Sequence, residues 1–354
     1  MRQNRFKSVA GLVGSLGTKQ NDKSEFDWIR SKKHKMKKGK KRKIVFTVIV
    51  LFFVFVWVNN TSPFLNKSKE YKLLAHRGLA QTFDISTVEW DTNTARIIYE
   101  PEHPYLENTL ESMQVAFEYG ANSVELDIQL TKDKKLAVFH DYDLSMRTDG
   151  NGSVSDYTME ELKRLDVGYG YTADNGETYP FRGKGIGLMP ELKEVFETFP
   201  DKELLIHINH GDTETGEILW TYLADMPTER LNQITFYGNN DALQYLRSQN
   251  PTVRVLSMKM LKSALIKYEL LGWTGYIPKE IHNMEIHIPV KYAKFLWGWP
   301  NKFVERMDSV NTKVVIVEGN GKRSEGFDSE DSLNDIPEGY SGYVWTNRID
   351  IISK

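Results

Sequence analysis

The stretch Gly120–Asp141, GANSVELDIQLTKDKKLAVFHD, carries the strongest signal in the chain for both fold and chemistry. Within it, Glu125 and Asp127 lie two residues apart in the apolar run VELDIQL. In a β-strand this spacing places both carboxylates on one face of the sheet. Burying two like charges side by side is costly unless a cation lies between them, so the pair indicates a site for a hard divalent metal ion.

A second apolar run, LAVF, follows and ends at His140-Asp141. If the two runs form a hairpin about Thr131–Lys135, Asp127 and His140 face each other across it. If they are instead parallel neighbours joined by a short crossover, both residues lie at the carboxyl ends of adjacent strands. Either arrangement brings a histidine to the metal. The alternative without a metal is an amphipathic hairpin whose acidic face is solvated.

The composition describes a basic tail attached to an acidic globular part. The 354 residues suffice for one large domain with appendages, and a hydrophobic content of 40% suits a packed core. Residues 1–43 hold 15 Lys and Arg against 3 Asp and Glu, whereas the net charge of the whole chain is −2. The chain has no cysteine, which excludes disulfide bonds and thiolate metal sites.

The basic tail is densest at Ser31–Lys43 and leads directly into Ile44–Val58, a run without charged residues. This run is shorter than the roughly 20 residues that usually cross a bilayer, but Lys43 can snorkel and Pro63-Phe64-Leu65 can extend the far side. A cleaved signal peptide is the main alternative. The long basic region and the lack of an Ala-x-Ala-like cleavage site argue against it.

These features predict a membrane protein with a single anchor. We expect a cytoplasmic basic tail (1–43), a transmembrane signal anchor (44–58), a polar linker (59–70) and an extracytoplasmic barrel domain (71–354). Because the basic tail adjoins the apolar run, we expect it to contact anionic lipid headgroups rather than nucleic acid. The expected location is the cell membrane.

The folded domain is expected to begin with the strand Tyr71–Ala75, which leads into His76-Arg77-Gly78. Arginine can clamp a phosphate with its planar fork, and glycine permits close approach of the backbone. Read on its own, this tripeptide is equally a capped strand end. Further along, Asn108 or Thr109 can cap a helix that runs to about Tyr119.

Several short motifs occur in a fixed order between about Leu73 and Arg348. They are His76-Arg77-Gly78, Glu107-Asn108-Thr109, Gly120-Ala121, Val124-Glu125-Leu126-Asp127, Thr131-Lys132-Asp133, His140-Asp141, Arg147-Thr148-Asp149-Gly150, Thr158-Met159-Glu160-Glu161-Leu162-Lys163, Met189-Pro190-Glu191-Leu192 and Trp345-Thr346-Asn347-Arg348. In order and approximate spacing this set resembles the glycerophosphodiester phosphodiesterase family. The resemblance implies an α/β fold, a (β/α)8 TIM barrel with its site at the carboxyl ends of the strands. The alternation of short apolar runs with helix-like segments agrees with that fold.

The resemblance also implies an activity, the metal-dependent hydrolysis of glycerophosphodiesters to glycerol 3-phosphate and an alcohol. In that family, carboxylates matching Glu125 and Asp127 hold a divalent ion, commonly Ca²⁺ or Mg²⁺, with Mn²⁺ a further candidate here. Histidines matching His76 and His140 act as the general acid and base, which suits the chemistry because imidazole can do either task near neutral pH. Which histidine has which role stays open.

Four further site residues follow from the resemblance and from one departure. Arg77 would hold a non-bridging phosphate oxygen, and Glu107 would bind or orient near the substrate. Where the family usually carries Ile-Glu-Ile-Lys, this chain reads Ile206-His207-Ile208-Asn209. Alternation along a strand sends His207 and Asn209 to the face that held the Glu and the Lys. His207 is therefore expected to be a metal ligand, and Asn209 a substrate contact.

Other segments leave alternatives open. The Phe83–His103 insertion is expected to border the entrance, either as a substrate-selecting lid or as surface decoration. Gly168–Gly187 is either a mobile loop over the site or a plain connection. Trp297-Gly298-Trp299-Pro300 is expected to serve core or loop packing rather than a membrane belt, and His282 and His287 to be structural or solvated. Two alternative functions remain: a phospholipase D-like activity on lysolipids, and a non-catalytic barrel that binds phosphodiesters.

Overall fold

The computed structural model describes residues 19–61, 70–89, 91–320 and 325–353, with side chains from residue 24 onward. The chain divides into two units, one ending at Val58 and one beginning at Asn59. Before residue 19, the predicted tail lies outside the described residues, as do residues 62–69 of the predicted linker.

The first unit is described as one long helix, α1 (Lys19–Asn60). This helix includes residues 19–43 of the predicted tail and all of the predicted anchor, in keeping with the good helix propensity of lysine and arginine. The described start of the predicted linker also continues this helix. Its part Ser24–Asn60 is long and apolar enough to cross a membrane, although a signal sequence would meet the same criteria.

The second unit is a nearly closed barrel of eight parallel strands, as the sequence predicts. The strands in chain order are β1 (Lys72–Ala75), β2 (Ser123–Leu130), β3 (Leu136–Val138), β4 (Glu203–Ile208), β5 (Ile234–Gly238), β6 (Arg254–Leu256), β7 (Glu285–Pro289), β8 (Lys313–Val317) and β9 (Tyr343–Thr346). Their order around the barrel is β6-β5-β4-β2-β1-β9-β8-β7, and β3 pairs with β2 outside the ring. A parallel bridge between Val255 and Met284 brings β6 to β7.

Helices cover the outside of the barrel and connect its strands. They are α2 (Leu110–Glu118), α3 (Met159–Leu162), α4 (Leu192–Thr198), α5 (Thr213–Leu223), α6 (Thr228–Leu231), α7 (Asn240–Gln249), α8 (Met258–Leu271), α9 (Val290–Ala293), α10 (Asn301–Asp308) and α11 (Ile349–Ile352). Short 3-10 helices occupy Ile85–Thr87, Thr94–Ile97, Leu144–Met146, Val154–Asp156, Gly272–Thr274, Lys279–Ile281 and Ser332–Asp335. The start of α2 confirms one of the two predicted caps, since the Thr109 side chain accepts a hydrogen bond from the Ser112 backbone.

Strand β2 shows how alternation builds two environments. Val124, Leu126 and Ile128 are buried in the main core, between strands and helices. Glu125 and Asp127, also buried, lie on the opposite face, which is the interior of the barrel. The expectation that the two carboxylates share one face is confirmed. A smaller apolar cluster fills the interior below them, formed by Leu74, Leu205, Val315, Val317, Tyr343 and Trp345.

Strands β2 and β3 form the hairpin alternative of the two arrangements considered. They are antiparallel, with Ile128 opposite Val138, and the Thr131 amide donates to the Lys135 carbonyl across the turn. The expected facing of Asp127 and His140 is off by one residue, because the amide that donates to the Asp127 carbonyl belongs to Phe139. His140 follows β3 and lies beyond the paired part of the hairpin.

The remaining segments have packing roles. In the loop 168–187, the amides of Gly168, Gly183 and Gly185 donate to the Asp166 carboxylate, which favours a fixed connection over a mobile loop. The ring of Trp299 packs against those of Phe303 and Tyr340, which confirms the expected packing role of its segment.

Candidate active site

Three ligand-type side chains meet at the carboxyl ends of β2 and β4. Atoms of Glu125, Asp127 and His207 that could bind a metal lie within 4.8 Å of one another. The pairing of the strands explains this, because Asp127 is the register partner of His207. Two hard carboxylate oxygens and one imidazole nitrogen are a donor set that suits a divalent ion. The structure thus brings together the three residues predicted as metal ligands.

The pKa values of the two carboxyl groups are shifted in opposite directions. Burial raises the pKa of Glu125 well above its usual range, and the charge of Asp127 raises it further. Burial also acts to raise the pKa of Asp127, but the positive charge of Arg77, with His140 and His207, holds that pKa well below its usual range. One carboxyl is thus easily ionised and the other resists ionisation. A divalent cation would allow both to be charged near neutral pH, so the residues present fit a metal ion.

His207 is held from two sides. Its Nδ1 lies 2.7 Å from Asp127 Oδ1, and its ring stacks on Tyr237 with 4.2 Å between centroids. The Tyr237 hydroxyl in turn donates to Glu125 Oε1 at 2.6 Å. Gly238 follows with φ +109°, and a Cβ there would lie 2.8 Å from His207 Cδ2. Sequence reasoning missed Tyr237, whose signal is a strand aromatic directly before a glycine.

His76 follows β1 and is oriented by the last strand of the barrel. Its Nδ1 lies 2.6 Å from Asn347 Oδ1, and Asn347 Nδ2 donates to Asp328 Oδ2 at 2.8 Å. This second bond turns the amide oxygen toward the imidazole, so Nδ1 carries a hydrogen. The other ring nitrogen, Nε2, is 3.7 Å from Glu125 Oε2. Burial and the charge of Arg77 lower the pKa of His76 well below its usual value.

Arg77 connects the backbone turn after β1 to three carboxylates. Its φ of 57° is uncommon for a residue other than glycine. In this turn its backbone amide donates to Glu125 Oε2 at 3.2 Å. Its guanidinium reaches Glu107 Oε1 at 2.9 Å, and its Nε lies 3.2 Å from Asp127 Oδ2. Arg77 thus holds the carboxylates of Glu107, Glu125 and Asp127 together at the end of β1.

A second buried arginine links Glu107 to His140. Arg147 Nη1 lies 3.0 Å from Glu107 Oε2, and Arg147 Nε lies 2.5 Å from Asp141 Oδ2. The other oxygen of Asp141 lies 2.9 Å from His140 Nδ1. Glu107 thus bridges Arg77 and Arg147, and the Asp141 carboxylate joins Arg147 to His140. Arg147 belongs to a quoted motif, but its place behind the site could not be read from spacing.

Two asparagines hold other members of the site. Asn209 Nδ2 donates to the carbonyl of His140, so its amide positions that histidine. The expected contact of Asn209 with substrate stays a prediction. Asn108 binds Asp127 twice, through Nδ2 to Oδ2 at 2.9 Å and through Oδ1 to the backbone amide at 3.1 Å. The sequence offered Asn108 only as a helix cap.

A cavity of about 640 Å³ opens onto these groups. One side presents His76, Arg77, Glu107, His140 and Asp141. The facing wall comes from the Phe83–His103 insertion and includes Phe83, Ile85, Val88, Thr94 and Tyr99. The insertion therefore borders the entrance as expected, and it lines the cavity rather than only the outer surface.

Comparison with known proteins agrees with this geometry. Residues 76–295 match the model of the glycerophosphoryl diester phosphodiesterase family. A glycerophosphodiester phosphodiesterase of Caldanaerobacter subterraneus subsp. tengcongensis is 38% identical over 130 residues, which are 37% of this chain and 49% of that protein. Human lysophospholipase D GDPD1 is 36% identical over 192 residues, 52% of this chain and 57% of that protein. The chain thus spans about half the length of these curated relatives.

Solved structures support the fold. A glycerophosphodiester phosphodiesterase from Agrobacterium tumefaciens aligns with a TM-score of 0.52 at 19% identity, covering 80% of this chain and 98% of that one. The glycerophosphoryl diester phosphodiesterase domain of Rv2277c from Mycobacterium tuberculosis aligns with a TM-score of 0.53 at 16% identity, covering 79% and 97%. At these identities the likeness concerns the barrel itself.

The buried Arg147 yields a prediction about stability. Arg147→Met should lower the free energy of unfolding by about 3–5 kcal/mol at pH 7, because it leaves Glu107 and Asp141 buried with less positive charge. Arg147 helps to hold the pKa of Asp141 below its usual range, and its loss should let that pKa rise. In the wild type, the low pKa of Asp141 stabilises the fold above about pH 4, and this stabilisation is lost below it. The difference in free energy of unfolding between the wild type and Arg147→Met should therefore shrink as the pH falls through about 4.

The measurement is urea unfolding of the full chain in detergent, followed by tryptophan fluorescence at pH 7 and below pH 4. The matched control is Arg164→Met, whose salt bridge with Glu160 joins side chains that are 72% and 81% exposed and should change stability by less than about 0.5 kcal/mol. Equal deficits in the two variants, or a deficit at position 147 that is independent of pH, would contradict the buried network.

Proposed function

Because the chain belongs to the glycerophosphoryl diester phosphodiesterase family, we propose that it hydrolyses a glycerophosphodiester to glycerol 3-phosphate and an alcohol. The observation that carries the proposal is the meeting of His76 and His140 with Arg77 at one cavity, beside the buried carboxylates of Glu125 and Asp127. This reaction needs a proton acceptor, a proton donor and positive charge at the phosphate. The site supplies the residue types for all three.

We assign the base role to His76 and the acid role to His140. The Nδ1 hydrogen of His76 is directed to Asn347, which leaves Nε2 to take a proton from water as its oxygen bonds to phosphorus. His140 is oriented by the Asp141 carboxylate, whose Oδ1 lies 2.9 Å from the His140 Nδ1. His140 then gives its proton to the alcohol oxygen as the bond from that oxygen to phosphorus breaks.

Glu125, Asp127 and His207 would hold the divalent ion of the proposed enzyme. When bound, such an ion neutralises charge on the phosphate and polarises it. Arg77 would bind a non-bridging phosphate oxygen, and Glu107 would orient the Arg77 guanidinium through their ion pair. Asn209 would keep the His140 backbone in place.

A lysolipid phosphodiesterase is the second candidate, and the cavity wall favours it. Phe83, Ile85 and Val88 line the entrance opposite the polar groups, and such a surface could accept part of an acyl chain. Human lysophospholipase D GDPD1 is among the relatives. A non-catalytic barrel that binds phosphodiesters is the third candidate, because the usual Glu and Lys of the family are replaced by His207 and Asn209.

Turnover assays separate these three functions. The full chain in detergent is supplied with glycerophosphocholine, glycerophosphoethanolamine or lysophosphatidylcholine, each with Ca²⁺, Mg²⁺ or Mn²⁺. Release of glycerol 3-phosphate supports the first proposal, and release of lysophosphatidic acid supports the second. Binding without turnover of any of them, with every metal, would leave only the non-catalytic barrel.

The histidine roles predict different responses to the leaving group. His76→Ala and His140→Ala should each lower kcat on glycerophosphocholine about 10² to 10⁴-fold, as expected for loss of a general acid or base. With bis(p-nitrophenyl) phosphate, whose leaving group needs no proton, His140→Ala should recover most of its rate and His76→Ala should not. His282→Ala, half-buried on the connection before β7, is the control. Rescue of the His76 variant instead would reverse the two roles, and wild-type rates in both variants would place the chemistry elsewhere.

If His207 is the third metal ligand, it should change which metal the site prefers. An imidazole in place of a carboxylate removes negative charge, so Ca²⁺ should bind more weakly than at a three-carboxylate site, while Mn²⁺ is tolerated. His207→Glu should tighten Ca²⁺, and His207→Ala should weaken Mn²⁺. Because only neutral imidazole binds metal, wild-type affinity should fall in acid, and His207→Glu should move this loss of affinity to lower pH.

Calorimetric titration of the full chain with Ca²⁺ and with Mn²⁺ measures these shifts without an activity assay. His287→Ala is the matched control, since His287 also lies inside the barrel but pairs with Glu285 at 2.8 Å. If both position-207 variants keep the wild-type affinity for both ions, His207 is a packing residue and not a ligand.

We also propose that α1 is a signal anchor that places the barrel outside the cytoplasm. Its support is the apolar stretch at 44–58 preceded by the lysine-rich segment at 31–43. Protease added to intact cells should release or digest the part after Asn59 and spare the tail. A barrel that is protected until the cells are lysed would contradict this topology. Recovery of a free chain that begins after the apolar stretch would indicate a cleaved signal peptide.

A further inference from the structure

The outward face of α8 carries aliphatic side chains that are not buried against the barrel. Ile266 and Leu270 lie one turn apart and are 64% and 68% exposed, and Leu271 beside them is 46% exposed. The opposite face already supplies the core contacts of this helix, through Leu261 and Tyr268, which are buried. Neighbouring exposed aliphatic residues on one helix face indicate an interaction surface rather than ordinary scatter.

Two lysines extend this face toward the N-terminal end of α8. Lys259 and Lys262 precede Ile266 by seven and four residues, so all three lie on the same side of α8. Phe295, 69% exposed and next to Lys294, belongs to the adjoining segment.

That segment packs beside the C-terminal half of α8. The indole nitrogen of Trp297 donates to the Glu269 carbonyl at 2.9 Å, and the Tyr268 hydroxyl donates to the Trp297 carbonyl at 2.7 Å. Phe295 precedes Trp297 by two residues and is the exposed aromatic residue of this neighbouring segment. We call Lys259, Lys262, Ile266, Leu270, Leu271 and Phe295 the α8 patch.

The globular unit begins next to this patch. The side chains of Asn59 and Asn60, its first residues, both donate to the carbonyl of Trp273, at 2.9 and 2.8 Å. Trp273 follows Leu271 by two residues. The apolar run of the sequence ends at Val58, one residue before this attachment. A chain that leaves a bilayer at Val58 would therefore enter the globular unit at the residues that contact Trp273.

We propose that the α8 patch docks on the surface of an anionic lipid bilayer. Ile266, Leu270 and Leu271 would enter the boundary between headgroups and acyl chains, and the lysines would contact anionic phosphates. A second copy of the chain fits less well, since a symmetric contact would gather Lys259 and Lys262 of both copies in one interface. The inference goes beyond the proposed hydrolysis and rests only on the proposed anchor.

Docking would add to the anchor in a specific way. A single helix tethers a domain but leaves its orientation free, whereas a second contact through α8 would hold one side of the barrel against the membrane. The cavity opens at the carboxyl ends of the strands, so it would stay open while the side is docked. The docked state thus predicts contact at one side of the barrel and none at the other.

The lack of cysteine allows a direct test on the full chain. Leu270→Cys is labelled with an environment-sensitive fluorophore and reconstituted into phosphatidylglycerol–phosphatidylcholine vesicles that contain a lipid with a quencher on its acyl chain. The control is Gln114→Cys, an exposed position on α2, between β1 and β2 and far from β6 around the ring. We expect the probe at position 270 to be quenched at least twice as strongly as the probe at 114.

The charge requirement is tested in the same vesicles. Lys259→Glu with Lys262→Glu should remove the excess quenching at position 270, and so should vesicles of phosphatidylcholine alone. The matched pair Lys193→Glu with Lys202→Glu, exposed on and after α4, should leave it unchanged. Turnover of soluble glycerophosphocholine should not differ between these variants, which separates docking from the proposed hydrolysis.

Several outcomes would overturn docking. Equal quenching at 270 and 114, or equal quenching at 270 in neutral and anionic vesicles, contradicts it. Disulfide cross-linking between unlabelled Leu270→Cys chains without lipid quenching would assign the face to a second copy. A chain that fails to float with the vesicles would overturn both anchor and docking, and the hydrolysis assay would still stand.

Discussion

The repulsion between the buried carboxylates of Glu125 and Asp127 is the constraint on which the rest of the site depends. Strand alternation places them together, and burial penalises the second charge. The surrounding side chains counter that penalty for one of them. Arg77 and His207 contact Asp127, which ionises readily, whereas Glu125 accepts from the Tyr237 hydroxyl and still resists ionisation. The site is thus arranged to gain from a cation that would relieve the remaining penalty.

A series of ion pairs continues from Arg77 through the loops at the carboxyl ends of the strands. Arg77, Glu107, Arg147 and Asp141 alternate in charge, and Asp141 in turn contacts His140. These residues come from four separate loops or turns. Each buried arginine lies between two acids, so neither charge sign accumulates. The two proposed catalytic histidines stand at opposite sides of this series, and its geometry sets the distance between them. Its members are therefore positioned jointly rather than one at a time.

Much of this arrangement was predictable because it follows from periodicity. The shared face of Glu125 and Asp127, and the placement of His207 across from Asp127, are properties of strand alternation and of adjacent parallel strands. The barrel, the cap at Thr109 and the contribution of the 83–103 insertion to the entrance also matched expectation.

The rest depends on contacts between distant loops. No local sequence pattern connects the residues of these contacts. They are the ion pairs of Arg147, the two hydrogen bonds between Asn108 and Asp127, and the Asp328–Asn347 pair behind His76. The predicted facing of Asp127 and His140 was wrong by one residue. The turn between β2 and β3 fixes their register, and the spacing of residues alone did not specify that turn. No helix was predicted for the basic tail, although its described residues lie in α1 and lysine is a good helix former.

The pairing of β1 with β9 has a consequence for the order in which the protein matures. His76 lies near the start of the barrel, but the amide that orients it belongs to Asn347, after the last strand. Ribosomes deliver these segments at opposite ends of synthesis, so His76 emerges long before Asn347. Glu125, Asp127 and His207 can assemble earlier, from strands that are neighbours both in space and in time. Hydrolysis by the proposed mechanism would thus begin only when the ring of strands closes.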